Sequence, residues 1–303
     1  MVSGEYVVLE GAPALVAAAA ARAYITLGPP AVHAELPPEV LRSQTCAEHT
    51  FGALAITTVQ LDTTALRSEG QKLGLGSSAA AAAATVAAIA NAHGHDLRDP
   101  EIRRRLLPLA LEGHASIAPE GSGADVAASM LGGFVRVRRE GQALDAHPIE
   151  WPSGIHLCLV WTGKPARTSD LVRVVKSFAA RDASAYRRAI EPLREAAAEL
   201  LGAVERGEVD AAIECAAAHH DAMDLLGRSA GAPIVTPELT LANELARSVG
   251  GSAKPSGAGG GDVAIAFLKS KEARSELSKA CHERGLALLS LGLGDEGVRT
   301  ELG

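Results

Sequence analysis

Apolar and polar residues alternate over Ile56–Leu66 and Phe134–Arg138, and this period of two predicts a strand at each place. Short continuous apolar runs at Ile155–Trp161 and Val263–Phe267 predict buried strands. Glu5–Glu10 and Ala287–Leu293 also read as strands, and Ala14–Ile25 as strand or short helix. Longer stretches with start and stop residues predict helices from Ser77 to about Asn91–Gly94, and over Pro100–Ala115, Thr168–Ala179 and Tyr186–Val204. The same signals predict helices over Val209–Leu226, Pro237–Ser248 and Ser270–Arg284. Asp99-Pro100 supplies a cap and a first helical position. Strands and helices mixed in two halves imply an α+β chain rather than a doubly wound sheet.

Composition narrows the classes. The chain has 303 residues, of which 47% are apolar, too many for a disordered segment. It has 29 Lys+Arg against 36 Asp+Glu, a net charge of −7, so no nucleic-acid partner is expected. No run approaches about 18 strongly apolar residues, so no membrane partner is expected either. Glu5 and Glu10 precede the apolar Leu15–Ala21, and no basic segment leads it, which is unlike a secretory signal. Cys46, Cys158, Cys215 and Cys281 are far apart and contain no C-x-x-C, so free thiols in a cytoplasmic protein are expected. His219 and His220 are neighbours, and on a helix they point apart and cannot act as an i, i+4 metal pair.

Aromatic residues make up only 3%, while glycine occurs 31 times, and three glycine-bearing segments hold the candidate chemistry. The first is Lys72–Ala80, KLGLGSSAA, a turn that opens a helix. Unpaired N–H groups and partial positive charge at a helix start suit phosphates. Gly-Ser-Ser before a run of alanines is equally good capping chemistry. The second is Gly121–Asp125, GSGAD, in which Asp125 suits a base or metal ligand, or simply caps the next helix. The third is Lys254–Asp262, KPSGAGGGD, with more glycine than a hairpin needs. A loop lying against a ligand fits it better, with Lys254 as a phosphate contact.

In this order and spacing the segments resemble the motifs of the GHMP kinase family. Gly74–Ala80 is similar to the family's phosphate loop, Lys254–Asp262 to its third motif, and Ser3–Gly11 to the second half of its first motif. Lys72–Ser78, Gly121–Ser129, Trp161–Ser169 and Lys254–Asp262 most resemble the phosphomevalonate kinase branch. The resemblance implies two α+β domains over residues 1–150 and 151–303: an N-terminal half like ribosomal protein S5 domain 2 and a ferredoxin-like C-terminal half. ATP and substrate would meet in the cleft between them.

Carried over by residue, the resemblance makes Asp125 the catalytic aspartate. Lys72, Gly74, Leu75, Gly76, Ser77, Ser78 and Ala79 would hold ATP, with Ser77 or Ser78 touching Mg²⁺. Ser122, Arg167, Thr168, Ser169, Lys254, Ser256, Gly257, Ala258 and Gly259 would line the substrate side. Lys72, Lys164, Arg167 and Lys254 are the candidate cations. The implied activity is ATP-dependent phosphorylation of phosphomevalonate by a monomer or homodimer. Mevalonate kinase or another small-molecule kinase of the family, diphosphomevalonate decarboxylase, and a catalytically impaired nucleotide- or metabolite-binding protein are the alternatives.

Two positions depart from the family pattern. The first-motif lysine would lie before Met1, so a natural chain longer by one strand is expected. His114 stands where mevalonate kinases place a Mg²⁺-binding glutamate, which argues against a mevalonate kinase, or for Mg²⁺ held by serine, phosphates and water.

Overall fold

The computed structural model describes residues 1–28, 35–54, 58–68, 71–141, 143–166 and 168–301. A short 3-10 helix, Val7–Glu10, comes first, followed by β1 (Ala14–Ala17), β2 (Tyr24–Gly28), α1 (Pro38–Phe51) and β3 (Thr58–Asp62). Next come β4 (Arg67–Ser68), β5 (Gln71–Lys72), α2 (Ser77–Ala92), α3 (Pro100–Ala115) and α4 (Ala124–Leu131). The middle holds β6 (Phe134–Glu140), β7 (Ala143–Ile149), β8 (His156–Trp161) and α5 (Thr168–Arg181). Two long helices follow, α6 (Ala183–Arg206) and α7 (Val209–Ala230). The chain finishes with α8 (Pro237–Ser248), β9 (Ser252–Pro255), β10 (Val263–Leu268), α9 (Lys271–Glu283) and β11 (Ala287–Leu288).

These elements fall into two compact units. The first contains Met1–Leu15, Arg136–Asp145 and Ile149–Leu293; the second contains Val16–Val135, Ala146–Pro148 and Gly294–Gly303. A single boundary near residue 150 therefore becomes an interleaved one. Strands β1, β6 and β7 form one sheet in the order β1-β6-β7, and each of them contains residues of both units.

The first unit is built on an antiparallel sheet of order β11-β8-β10-β9. Every residue of β10 is buried, as expected for a central strand read as a continuous apolar run. One core joins this sheet to α8 and α9 through Val160, Leu239, Ala246, Leu268 and Leu277. A second core lies among α5, α6 and α7, with Phe178, Leu193, Met223 and Leu226 at its centre. Helix α6 ends at Gly207 and α7 at Gly231, both left-handed, which lets each last turn close without a Cβ clash.

In the second unit α2 packs against α1, α3 and α4. Ala79, Ala81, Ala82, Ala83, Ala87 and Ala90 are all buried, so small side chains let the helices approach closely. Asp99 caps α3 by accepting from Glu101 N at 2.8 Å, and Pro100 opens it.

Some sequence expectations change. Glu5–Glu10 is not a strand: Tyr6 has φ 62° and the chain coils into the 3-10 turn, closed by left-handed Gly11. Lys254 and Pro255 belong to β9 rather than to the following loop. Ala287–Leu293 shortens to two strand residues. Ile56 and Arg167 lie outside the described residues.

Candidate active site

In the second unit, Gly74 (φ 71°) and Gly76 (φ 75°) are both left-handed, and Gly76 is the residue that caps α2. Ser77 and Ser78 thus form the first helical turn instead of capping it, and no side chain caps this helix. The N–H groups of Ser77, Ser78 and Ala79 find no acceptor among the described residues. By contrast, α3, α6, α8 and α9 are capped by Asp99, Asp182, Thr236 and Ser270. An open helix start of this kind favours an anion.

Helix α4 repeats the arrangement. Left-handed Gly123 (φ 77°) opens it, and Asp125 lies in its first turn. Ser122 Oγ accepts from Ala124 N at 3.3 Å, and Asp125 Oδ1 accepts from Val126 N at 3.0 Å. The two helix starts are adjacent. A Cβ on Gly76 would sit 3.4 Å from Asp125 Cβ and 3.8 Å from its Oδ2. Glycine at position 76 therefore gives both the backbone conformation and the clearance that bring a carboxylate beside the loop.

His114 also reaches this place. It is buried on α3, and its Nε2 lies 3.2 Å from Ser78 Oγ. Ser77 Oγ has no hydrogen-bond partner among the described residues. Lys72 is exposed and makes no ion pair among the described residues, whereas Lys164 is paired with Glu238.

In the first unit, Lys254 is 0% exposed, and its Nζ lies 2.5 Å from Glu5 Oε1 and 2.8 Å from Pro255 O. The expected phosphate contact is thus a buried ion pair. His219 Nε2 lies 3.1 Å from Glu5 Oε2. Burial alone would raise the Glu5 carboxyl, but Lys254 and His219 outweigh it and hold it well below the usual range. Burial pulls His219 down, Lys254 pulls it further, and Glu5 opposes both, so the imidazole is neutral near pH 7.

The turn after β9 is crowded on one side. A Cβ on Gly259 would meet Ile234 O at 2.2 Å, on Gly260 Leu171 Cδ1 at 2.7 Å, and on Gly261 Lys164 O at 2.5 Å. Gly257 faces open space, and the N–H groups of Ala258 and Gly259 find no acceptor among the described residues. Asp262 closes the turn at φ 51°: its N donates to Lys164 O at 2.7 Å and its Oδ1 accepts from Ala166 N at 3.0 Å. This ties the turn to the segment before Thr168 and Ser169, which are exposed in the first turn of α5.

The structure therefore brings Gly76, Ser77, Ser78 and Asp125 together in one unit, and Lys254, Ser256, Gly257, Ala258 and Gly259 together in the other. Sequence reasoning assigned no role to Glu5 or His219. His219 continues the buried stripe Ala212, Ala216, Met223, Leu226 of α7. A polar residue at a position of that apolar stripe was the available signal that a buried partner exists.

The comparisons extend this geometry. Residues 46–133 match the family model described as GHMP kinases N terminal domain, and residues 182–286 match GHMP kinases C terminal. The chain is 31% identical over 230 residues to phosphomevalonate kinase of Streptomyces sp. (strain CL190), covering 69% of this chain and 60% of that one. It is 28% identical over 233 residues to mevalonate kinase of Aeropyrum pernix, covering 76% of this chain and 67% of the relative. The matched region thus spans about three-fifths to two-thirds of these relatives' length. The structure of Streptococcus pneumoniae phosphomevalonate kinase in complex with phosphomevalonate and AMPPNP superposes with a TM-score of 0.78 at 20% identity, over 96% of both chains. Among the described residues no helix is long and apolar enough to cross a membrane.

Proposed function

The chain belongs to the GHMP kinase family, and from that premise we propose that it transfers the γ-phosphoryl group of ATP to phosphomevalonate, giving diphosphomevalonate and ADP. The observation that carries the reading is the pair of glycine-led helix starts, without a side-chain cap on α2 and with Asp125 beside Gly76. The choice of substrate rests on the 31% identity to a phosphomevalonate kinase and on His114 in place of a carboxylate.

The N–H groups of Ser77, Ser78 and Ala79 would hold the ATP phosphates. The acceptor is a phosphate oxygen of phosphomevalonate, already anionic near neutral pH, so it needs little deprotonation. Its lone pair forms the new bond to the γ-phosphorus as the bond to the ADP oxygen breaks. Asp125 orients the acceptor and takes any proton that remains on it. Positioning and charge neutralisation then carry most of the rate.

Oxygen donors fit Mg²⁺, and here they are the Asp125 carboxylate and the Ser77 and Ser78 hydroxyls. Among the described residues no group of three or more His, Cys, Asp or Glu could hold a metal ion, and an ion at the hydroxyls would take its other ligands from phosphates and water. Bound there, Mg²⁺ would neutralise charge on the transferring group.

A coupled ADP-release assay on phosphomevalonate and on mevalonate tests the proposal. Turnover confined to mevalonate would move the assignment to mevalonate kinase, which the 28% identity to the Aeropyrum enzyme keeps as the second reading. Tight nucleotide binding without turnover on either compound would make the chain a binding protein.

A further inference from the structure

Three consecutive residues of the turn after β9 are each held by the segment Met1–Tyr6. Ser256 Oγ donates to Met1 O at 2.9 Å. Gly257 N donates to Glu5 Oε1 at 3.4 Å. Tyr6 Oη donates to Ala258 O at 2.6 Å. The same Glu5 oxygen receives the Lys254 ammonium from the strand that leads into the turn.

Both sides of this contact are conformationally costly. Tyr6 has φ 62°, which disfavours a residue bearing a Cβ. Gly257, Gly259, Gly260 and Gly261 have φ of 91°, 79°, 78° and 140°, and Asp262 follows at 51°. A glycine run with such angles has many alternatives in isolation. It stays in one of them only if the surroundings fix it. The back of Gly259–Gly261 is fixed by packing on Ile234, Leu171 and Lys164, and the Asp262 end by Lys164 and Ala166. Among the described residues the hydrogen bonds that hold the leading end, Ser256–Ala258, come from the Met1–Tyr6 segment and from the strand bond of Ser256 N to Val263 O, while the Ala258 side chain packs on the core of α5–α7.

We propose that Glu5 is a positioning residue: paired with Lys254 and assisted by Tyr6, it moulds the Ser256–Gly261 turn so that free backbone N–H groups of Ala258 and Gly259 face a phosphate-monoester ligand. This rests on the reading that the turn lines the phosphorylated substrate. Lys254 acts through Glu5 and not on the ligand. The carboxylate is needed twice, as the counter-charge of a sealed ammonium and as the acceptor for Gly257 N–H.

These two needs separate by mutation. Glu5→Met with Lys254→Met removes both charges together, the change a buried pair tolerates best, while deleting the acceptor. Glu5→Gln with Lys254→Met also removes both charges but keeps an acceptor. Hydrogen–deuterium exchange of peptides covering residues 256–261 is read alongside KM and kcat. The Met/Met variant should melt close to wild type, exchange at least ~10-fold faster at the turn, and show KM for the phosphorylated substrate raised ~10-fold with a smaller change in kcat. The Gln/Met variant should recover most of both. Wild-type exchange and KM in the Met/Met variant would overturn the proposal and leave a purely structural ion pair.

If the Met/Met variant does not fold, Tyr6→Phe provides the decision, because it removes only the bond to Ala258 O. Faster exchange at Gly257 and Gly260, whose N–H groups are bonded to Glu5 and Ile234 O, supports the clamp, and unchanged exchange overturns it. Exchange requires no turnover. An inactive wild type with the expected exchange pattern would reject the kinase reading and leave the clamp standing, and an active wild type with no change in exchange would do the reverse.

Discussion

Lys254 and the phosphate loop treat charge in opposite ways. The lysine in the third glycine segment has its charge matched by Glu5 and sealed from water. The first turn of α2 carries only the partial charge of its N–H groups, and that charge is unmatched. A cation inside a ligand-binding motif is thus not by itself a ligand contact. On the proposed reading, what marks a ligand surface is hydrogen-bonding capacity that the protein leaves unused.

The contrast predicts that removing a charge in the first unit acts on stability, and in the second unit on turnover. Lys254→Met strips a buried carboxylate of its ammonium, leaving it against His219 and Gly257 N, and should cost about 3–5 kcal/mol, measured by urea denaturation. A loss below about 1 kcal/mol would mean that Glu5 is solvated. Asp125→Asn should lower kcat at least ~100-fold while the melting temperature stays close to wild type. Turnover near wild type in that variant would remove Asp125 from the chemistry.

Gly76→Ala tests the loop between these extremes. Its φ of 75° disfavours alanine by about 1 kcal/mol, while the new Cβ would make only an ordinary contact with Asp125, so a shift of the loop backbone should raise KM for ATP several-fold. A smaller effect concerns pH. His219 is held neutral when folded but takes up a proton when unfolded below its ordinary 6.5, so the unfolded chain binds more protons there. Stability should therefore fall as pH drops through 6.5, by at most about 1.4 kcal/mol per pH unit from this group. Glu5, depressed from 4.5, adds a further loss as the pH falls below that value. Denaturation curves of His219→Asn between pH 7.5 and 5.5 should be flatter than wild type. The smallest effect is expected at Ser78, whose hydroxyl meets His114. Ser78→Ala and His114→Ala should raise the Mg²⁺ requirement non-additively, and strictly additive effects would separate the two residues.

Where the deciding interactions are local, the sequence was legible. Asp99-Pro100 and Thr236-Pro237 place the starts of α3 and α8 because cap and first turn are neighbours in the chain. The loop ahead of α2 and the position of Asp125 in a helical first turn follow the same logic. Glu5–Glu10 reads as a strand from its β-branched residues. Its partners include Tyr186, Arg194, His219 and Lys254–Ala258, all more than one hundred and seventy residues away, and the segment meets them with Tyr6 at φ 62°. Helix α1 and strand β7 were not anticipated. Strand β7 has no buried residue to give it a pattern, and α1 shows only a short stripe of Val40, Ser43, Cys46 and Ala47. The burial of Lys254 was illegible for the reason that hid Glu5, since neither residue reveals its counter-ion without the other.

The interleaving of the two units has a consequence for synthesis. Met1–Leu15 lies far ahead of the rest of its unit in the sequence, and that unit is completed only by Ile149–Leu293. The other unit waits for Gly294–Gly303, where Gly297 packs against Met130 O and Gly132 N too closely for any side chain. Each unit can close only after a long stretch belonging largely to the other has been made, so its folding is later than that of a unit of contiguous sequence. A nick near residue 150 would leave each unit without a segment that it needs.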